Sequence, residues 1–305
     1  MPNLFDLDVE ASDIGYINLR DARSSIERDM QSDLEAMWSA YEPYADPDFR
    51  SGFARDLDGR FWEMYLGCVL IEAGKQLLPV AQRQRQGGQP DICVIENDCR
   101  VWIEAIAPDR GVEGPDRVRE PRPINDGGGF VPVPERQAQL RISSALWTKS
   151  QVLRRYLDEG TIRPEDVRVI AIGGGRFGRN IPESGLPLII STVFPLGAER
   201  VAINRHTREI VDQGFETSLT IPRGNGRSIP RTALLEGPFE HVSGLLWSRA
   251  SIGNAMRAAR PLTFVHNPRA DVIMPQRWGP WDREFVTTEH GDHFQLNELT
   301  SREHV

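Results

Sequence analysis

The chain has 305 residues, 39% of them hydrophobic and 26% charged, which is enough for one large domain or two modest ones of ordinary globular type. No run nears the roughly 18 apolar residues of a membrane helix, and the acidic stretch Met1 to Glu10 is unlike a signal peptide, so a cytoplasmic location is expected and no membrane partner. The formal net charge of −8 gives no overall attraction to nucleic acid, and an enzyme of DNA would have to gather its arginines locally. The cysteines Cys68, Cys93 and Cys99 are odd in number and lack metal-ligand spacing, which argues against a disulfide scaffold and a zinc site.

In chain order, Asp21 to Tyr41 places Ile26, Met30, Leu34 and Trp38 four residues apart, the spacing of an amphipathic helix. Pro43, Pro47 and Gly52 break it, and residues 1–55 read as a helical lead-in that packs on the main domain or on a second copy. Asp58 to Leu78 is a stronger helix, with Trp62, Tyr65, Leu66, Val69, Leu70 and Ala73 on one face and Glu63 beside it. A polar connector from Gln82 to Gly88, with a short strand before it from Leu77, carries Arg83 and Arg85, which either reach phosphates or face water.

From Gln89 to Pro108 the chain reads as a β-hairpin: Ile92 to Ile95, a turn at Glu96-Asn97-Asp98, then Val101 to Ile106. Asp91 stands at the mouth of the first strand and Glu104 inside the second, among Trp102, Ile103 and Ile106. A carboxylate in such company is costly to desolvate unless it meets a cation. Two carboxylates on adjacent strands make an all-oxygen site suited to Mg2+ or Mn2+. The alternative is that both acids cap turns or pair with arginines.

Asp109 to Pro134, rich in Gly, Pro and charge and containing Gly127-Gly128-Gly129, reads as a substrate-facing flap. In the next helix, Pro134 to Leu157, a buried stripe runs through Ile142, Ala145, Lys149, Val152 and Tyr156. Lys149 is one of only two lysines, the other being Lys75, and a lysine on an apolar face needs a partner for its amine. Arg141 and Ser144 lie toward the same side and are candidates to bind a phosphate. Val167 to Ile172 is a buried strand leading into Gly173-Gly-Gly-Arg-Phe-Gly178, whose GxGxxG lettering is followed by no helix, so a flexible strand-end loop is expected and no dinucleotide site. Leu186 to Phe194, Glu199 to Asn204, Glu216 to Ile221, Val242 to Trp247 and Leu262 to His266 read as strands. Arg223 to Arg231 is a basic loop, His266-Asn267-Pro268 a turn with a side-chain bond, and Met274 to Val305 a tail over the body.

Pro90-Asp91 and Glu104-Ala105-Ile106 resemble the motif of the PD-(D/E)xK nuclease superfamily, with Ile106 standing where that family has its lysine. The resemblance implies a restriction-endonuclease-like α/β core, a central mixed β-sheet flanked by helices. It covers Arg60 to Ile172 most specifically and places residues 56–270 in the domain, with 271–305 as a tail packed on it. It also implies a metal-dependent endonuclease acting on nucleic acid, most naturally DNA, with Asp91, Glu104 and the carbonyl of Ala105 as ligands of Mg2+ or Mn2+. Glu63 would be the helix glutamate that helps hold metal or water. Lys149 looks like the motif lysine displaced to a helix, as in some members. A homodimer would suit double-strand cleavage. Two further readings stand beside it: a non-catalytic member of the fold that binds nucleic acid or protein, and a hydrolase of small phosphate esters.

Overall fold

The computed structural model describes residues 3–6, 8–83, 88–96, 99–119, 133–178, 185–255, 261–291 and 293–299. In chain order its main elements are helices α1 (Ile14–Asp21), α2 (Ser25–Tyr41), α3 (Phe49–Phe53) and α4 (Leu57–Glu72), strands β1 (Gln76–Leu77), β2 (Ile92–Glu96) and β3 (Cys99–Ile106), helix α5 (Glu135–Asp158) and strand β4 (Val167–Gly173). There follow α6 (Leu188–Val193), β5 (Leu196–Ile203), β6 (Ile210–Thr217), β7 (Thr220–Pro222), β8 (Ser228–Pro230), α7 (Ala233–Glu236), β9 (Gly244–Ser248), α8 (Ile252–Ala255), β10 (Thr263–His266), β11 (Arg283–His290) and β12 (His293–Leu299). Side-chain caps start the early helices: Asp13 accepts from the amides of Gly15 and Tyr16, Ser24 and Glu27 form a reciprocal capping box, and Asp56 accepts from the amide of Gly59.

Two compact units result. Met1–Pro108, Ala145–Arg176 and His241–Val305 form the first, and Asp109–Ser144 with Phe177–Glu240 the second, so the span expected as one domain contributes to both. The first is α/β, built on an eight-stranded mixed sheet of order β1-β2-β3-β4-β9-β10-β11-β12. Its centre is parallel, β3 with β4 and β4 with β9, as is β10 with β11, while the remaining neighbours are antiparallel.

Alternation along the central strands assigns their two faces. Val101, Ile103 and Ala105 of β3 and Val167, Val169 and Ala171 of β4 join one buried cluster with Leu34, Trp38, Phe61 and Trp62 from α2 and α4. Trp62 also donates its indole N–H to the carbonyl of Ala171 at 3.1 Å, fastening α4 to the sheet. The intervening residues serve polar partners: Trp102 donates to Asp166 at 3.0 Å, Glu104 meets α5, and Arg168, 1% exposed, is spent on backbone carbonyls including Asp166 (2.8 Å) and Pro164 (2.9 Å). His241 lies buried beside them. An arginine only donates, so its Nδ1 accepts from Arg154 (2.8 Å) while Nε2 donates to the carbonyl of Ser150 (2.9 Å), and burial holds its pKa below the ordinary value.

Several expectations change. Leu186 to Phe194 is a helix over Leu188–Val193, because all six of its residues are buried and so short a run, buried on every side, carries no period that separates helix from strand. The strand expected at Leu77 to Gln82 shortens to Gln76–Leu77 followed by a 3-10 turn. The stretch read as a C-terminal tail supplies β11 and β12, which finish the sheet. Beyond β4 the glycine run turns through a 3-10 segment, Gly175–Phe177, and Gly174 donates to the carbonyl of Ser248 at 2.7 Å, so this part is bonded into the body and not a loose loop. His266 ends β10 on a side-chain bond, its Nε2 2.6 Å from Glu284. The Asn97-Asp98 turn, Arg85 and Gly127 to Gly129 lie outside the described residues.

The second unit holds α6, α7, the N-terminal part of α5 and two antiparallel hairpins, β5-β6 and β7-β8. Asp116 accepts from the amide of Gly224 and from Arg136, which ties the β7-β8 turn to the chain around Pro115. Among the described residues no helix is long and apolar enough to cross a membrane.

Candidate active site

The hairpin sets the first carboxylate. β2 and β3 pair from Ile92 opposite Ile103 outward to Glu96 opposite Cys99, so Asp91 stands one step past the last pair. Its side chain takes over the ladder there: Oδ2 accepts the backbone N–H of Ala105 at 2.7 Å. Arg83 fixes the incoming chain, since it is 5% exposed and its guanidinium donates to the carbonyls of Pro90 (3.1 Å), Asp91 (2.8 Å) and Tyr44. It neither reaches outward for phosphates nor faces water, the two expectations set from its sequence neighbours; three carbonyls close enough to share one guanidinium hold it inside.

Glu104 is the neighbouring residue on β3, 4% exposed. The Lys149 amine of α5 donates to its Oε1 at 2.6 Å. Oε2 is buried and has no hydrogen-bond partner among the described residues. Burial and the charge of Asp91 push the Glu104 carboxyl up to about 8. Burial alone would lower the Lys149 amine, but Glu104 and Asp91 outweigh it and hold the amine above its ordinary value, so it remains a cation. Ile106, in the position of the motif lysine, pairs with Ile172 of β4 and offers no amine.

Glu63 arrives from α4, also 4% exposed. The Tyr41 hydroxyl donates to its Oε1 at 3.0 Å and Arg60 to its Oε2 at 2.8 Å, so both oxygens have partners. Gly67, one turn further along α4, lets this happen: a Cβ there would collide with the Tyr41 ring, whose close approach carries the hydroxyl back to Glu63. Burial followed by Asp91 pushes the Glu63 carboxyl up to about 8, and burial followed by Glu63 and Asp91 drives the Tyr41 phenol well above its usual value. Asp91 thus raises both Glu63 and Glu104 on top of their burial, while Arg60 beside the first and Lys149 beside the second pull the other way.

Asp91, Glu104 and Arg60 border a cavity of about 400 Å³, lined also by Asp46, Asp48 and Tyr156 among others. Burial raises the carboxyl of Asp46 above its ordinary value. Tyr41, Asp46 and Asp48 were not anticipated as site residues. Tyr41 had a signal, falling three residues after Trp38 on the stripe of α2, whereas the two aspartates come from a proline-bearing link with no period to mark them.

Among the described residues no group of three or more His, Cys, Asp or Glu is arranged to hold a metal ion. Arg141 and Ser144, expected beside the site, belong to the second unit, where Arg141 donates to the carbonyl (2.9 Å) and carboxylate (2.8 Å) of Asp109. Of Ala105 it is the amide that meets Asp91. No protein-family model matches the chain, and no curated protein or solved structure matches it.

Proposed function

We propose that the chain is a metal-dependent phosphodiesterase of nucleic acid, a restriction-endonuclease-like PD-(D/E)xK enzyme whose lysine comes from α5. The observation that carries this reading is Glu104: one oxygen is held by the Lys149 amine at 2.6 Å and the other is buried with no partner among the described residues. A buried carboxylate oxygen left bare costs about 1–3 kcal/mol or more, and a cation beside it removes that cost. Asp91 and Glu104 fit Mg2+ or Mn2+, hard ions that take one or two protein carboxylates and keep several waters. With both oxygens of Glu63 bonded to Tyr41 and Arg60, that residue supports the pair from behind.

When bound, the metal lowers the pKa of water and offsets charge developing on the phosphate. The protein's own groups do the rest. The Ala105 amide and Arg83 hold Asp91 in place, and Glu104 fixes the Lys149 amine. That amine, kept protonated by its two acidic neighbours, orients the attacking water and stabilises negative charge instead of removing a proton. The water oxygen bonds to phosphorus, the ester bond to the leaving oxygen breaks, and the leaving hydroxyl ends with the proton the water gave up.

The test is Mn2+ titration calorimetry on the wild type, Asp91→Ala and Lys149→Ala, followed by cleavage assays with Mg2+. Wild-type chain should bind the ion, Asp91→Ala should lose binding and cleavage while keeping its circular dichroism, and Lys149→Ala should bind the ion yet cleave at least 100-fold more slowly. Retained cleavage in Asp91→Ala sinks the reading. Absence of ion binding at millimolar concentration would favour the non-catalytic member of the same fold.

A further inference from the structure

Resting on the hydrolytic reading above, we infer that the site takes one nucleotide-sized phosphodiester arm, presented by a strand end or a small free diester, and not a continuous duplex. The cavity measures about 400 Å³, toward the small end of ordinary ligand pockets, which span roughly 300–1,000 Å³. That volume accepts one sugar and base with its phosphate.

Charge points the same way. Asp46 and Asp48 line the cavity together with Asp91 and Glu104, and among the described residues Arg60 is the one cationic lining residue, already committed to Glu63 at 2.8 Å. Arg83 nearby is spent on carbonyls. Duplex DNA carries a charge about every 1.7 Å of its axis, so phosphates flanking the scissile one would lie against aspartates. The acidic and basic residues of the second unit balance, so the whole net charge of −8 falls on the unit that contains the cavity. A long polyanion finds little there to hold it, whereas a single phosphate needs only a metal held on Asp91 and Glu104.

One wall is also closed. Tyr156, 6% exposed, is braced by the Arg155 guanidinium 5.0 Å from its centroid. Gly88 faces its hydroxyl at φ +87°, and a Cβ there would come within 3.2 Å of that oxygen, so this side of the cavity has little room to widen for a second nucleotide.

The full chain with Mg2+ or Mn2+ is assayed on a linear fluorescent single-stranded oligonucleotide, the same strand circularised, a supercoiled plasmid and bis(4-nitrophenyl) phosphate. The expected result is shortening of the linear strand from an end and hydrolysis of the chromogenic diester, with both circles intact. A preference for the strand over the chromogenic diester identifies the strand end as the source of the arm, and the reverse identifies a small diester. Tyr156→Ala should raise KM for the preferred substrate about tenfold with kcat little changed. Cutting of the circular strand or plasmid as fast as the linear strand overturns the inference and leaves the hydrolytic reading standing. If neither the chromogenic diester nor any DNA is cut with either metal, the hydrolytic reading itself fails.

Discussion

Replacing Glu104 with Gln keeps the shape of the side chain and an oxygen for Lys149 while removing the charge. The wild-type carboxyl is pushed up to about 8 by burial and by Asp91, against an ordinary value near 4.5. A carboxyl whose pKa is raised on folding stabilises the fold fully below its unfolded pKa, and that contribution is lost as pH rises through the folded pKa. The full displacement corresponds to about 5 kcal/mol. Burial is the larger cause and acts on Glu104 itself, and a raised Glu63 is common to both proteins, so the difference between them reports Glu104. Urea unfolding of the wild type and Glu104→Gln at pH 5, 7 and 8.5 measures it. The wild type should lose about 4 kcal/mol against the variant between pH 5 and 8.5, and millimolar Mg2+ at pH 8.5 should restore the wild type alone, since only it gains a ligand oxygen by ionising. Parallel pH profiles for the two proteins would refute the reasoning, because they would mean that Glu104 is neither desolvated nor repelled.

Gly67→Ala forces the Tyr41 ring away from α4 and should cost about 1–3 kcal/mol, with Tyr41→Phe added to it costing less than on its own; additive costs in chemical denaturation would break the link drawn between glycine, ring and Glu63. Lys149→Arg preserves charge but not a compact amine and should retain ion binding while losing at least tenfold in cleavage rate, read by calorimetry beside single-turnover kinetics. His241, buried neutral against Arg154 and Arg168, has a pKa below its usual value, so its contribution to stability is present above about pH 6.5 and falls away as pH drops toward the folded pKa. Thermal melts at pH 5 and 7.5 should show a smaller acid loss in His241→Gln than in the wild type; equal losses would exclude His241 as the cause.

The hairpin was legible because turn-forming residues bracket two apolar runs, and α5 because one lysine interrupts a helical stripe in a chain that otherwise uses arginine. Those two local patterns meet at the 2.6 Å contact of Lys149 with Glu104. What was not legible depends on distant partners. Arg83 sits in a polar connector and Arg168 interrupts a buried strand, yet both are buried on backbone carbonyls, and no local spacing encodes those partners. β11 carries charges on both sides of the pleat, and β12 is short of apolar residues and half-exposed, so no apolar run announces either. The division into two units is hidden for a related reason, since each gathers segments far apart along the chain.

The bond from the Ala105 amide to Asp91 makes that single N–H a spectroscopic gauge of the site. An amide proton on a charged carboxylate resonates far from one on water or a neutral acceptor, and it exchanges slowly while the bond holds. Selective ¹⁵N labelling of alanine would therefore let one resonance follow any cation or phosphate that redistributes charge on Asp91, without turnover and without a substrate in hand. The same resonance, followed by hydrogen exchange, would time how often the open end of the hairpin parts.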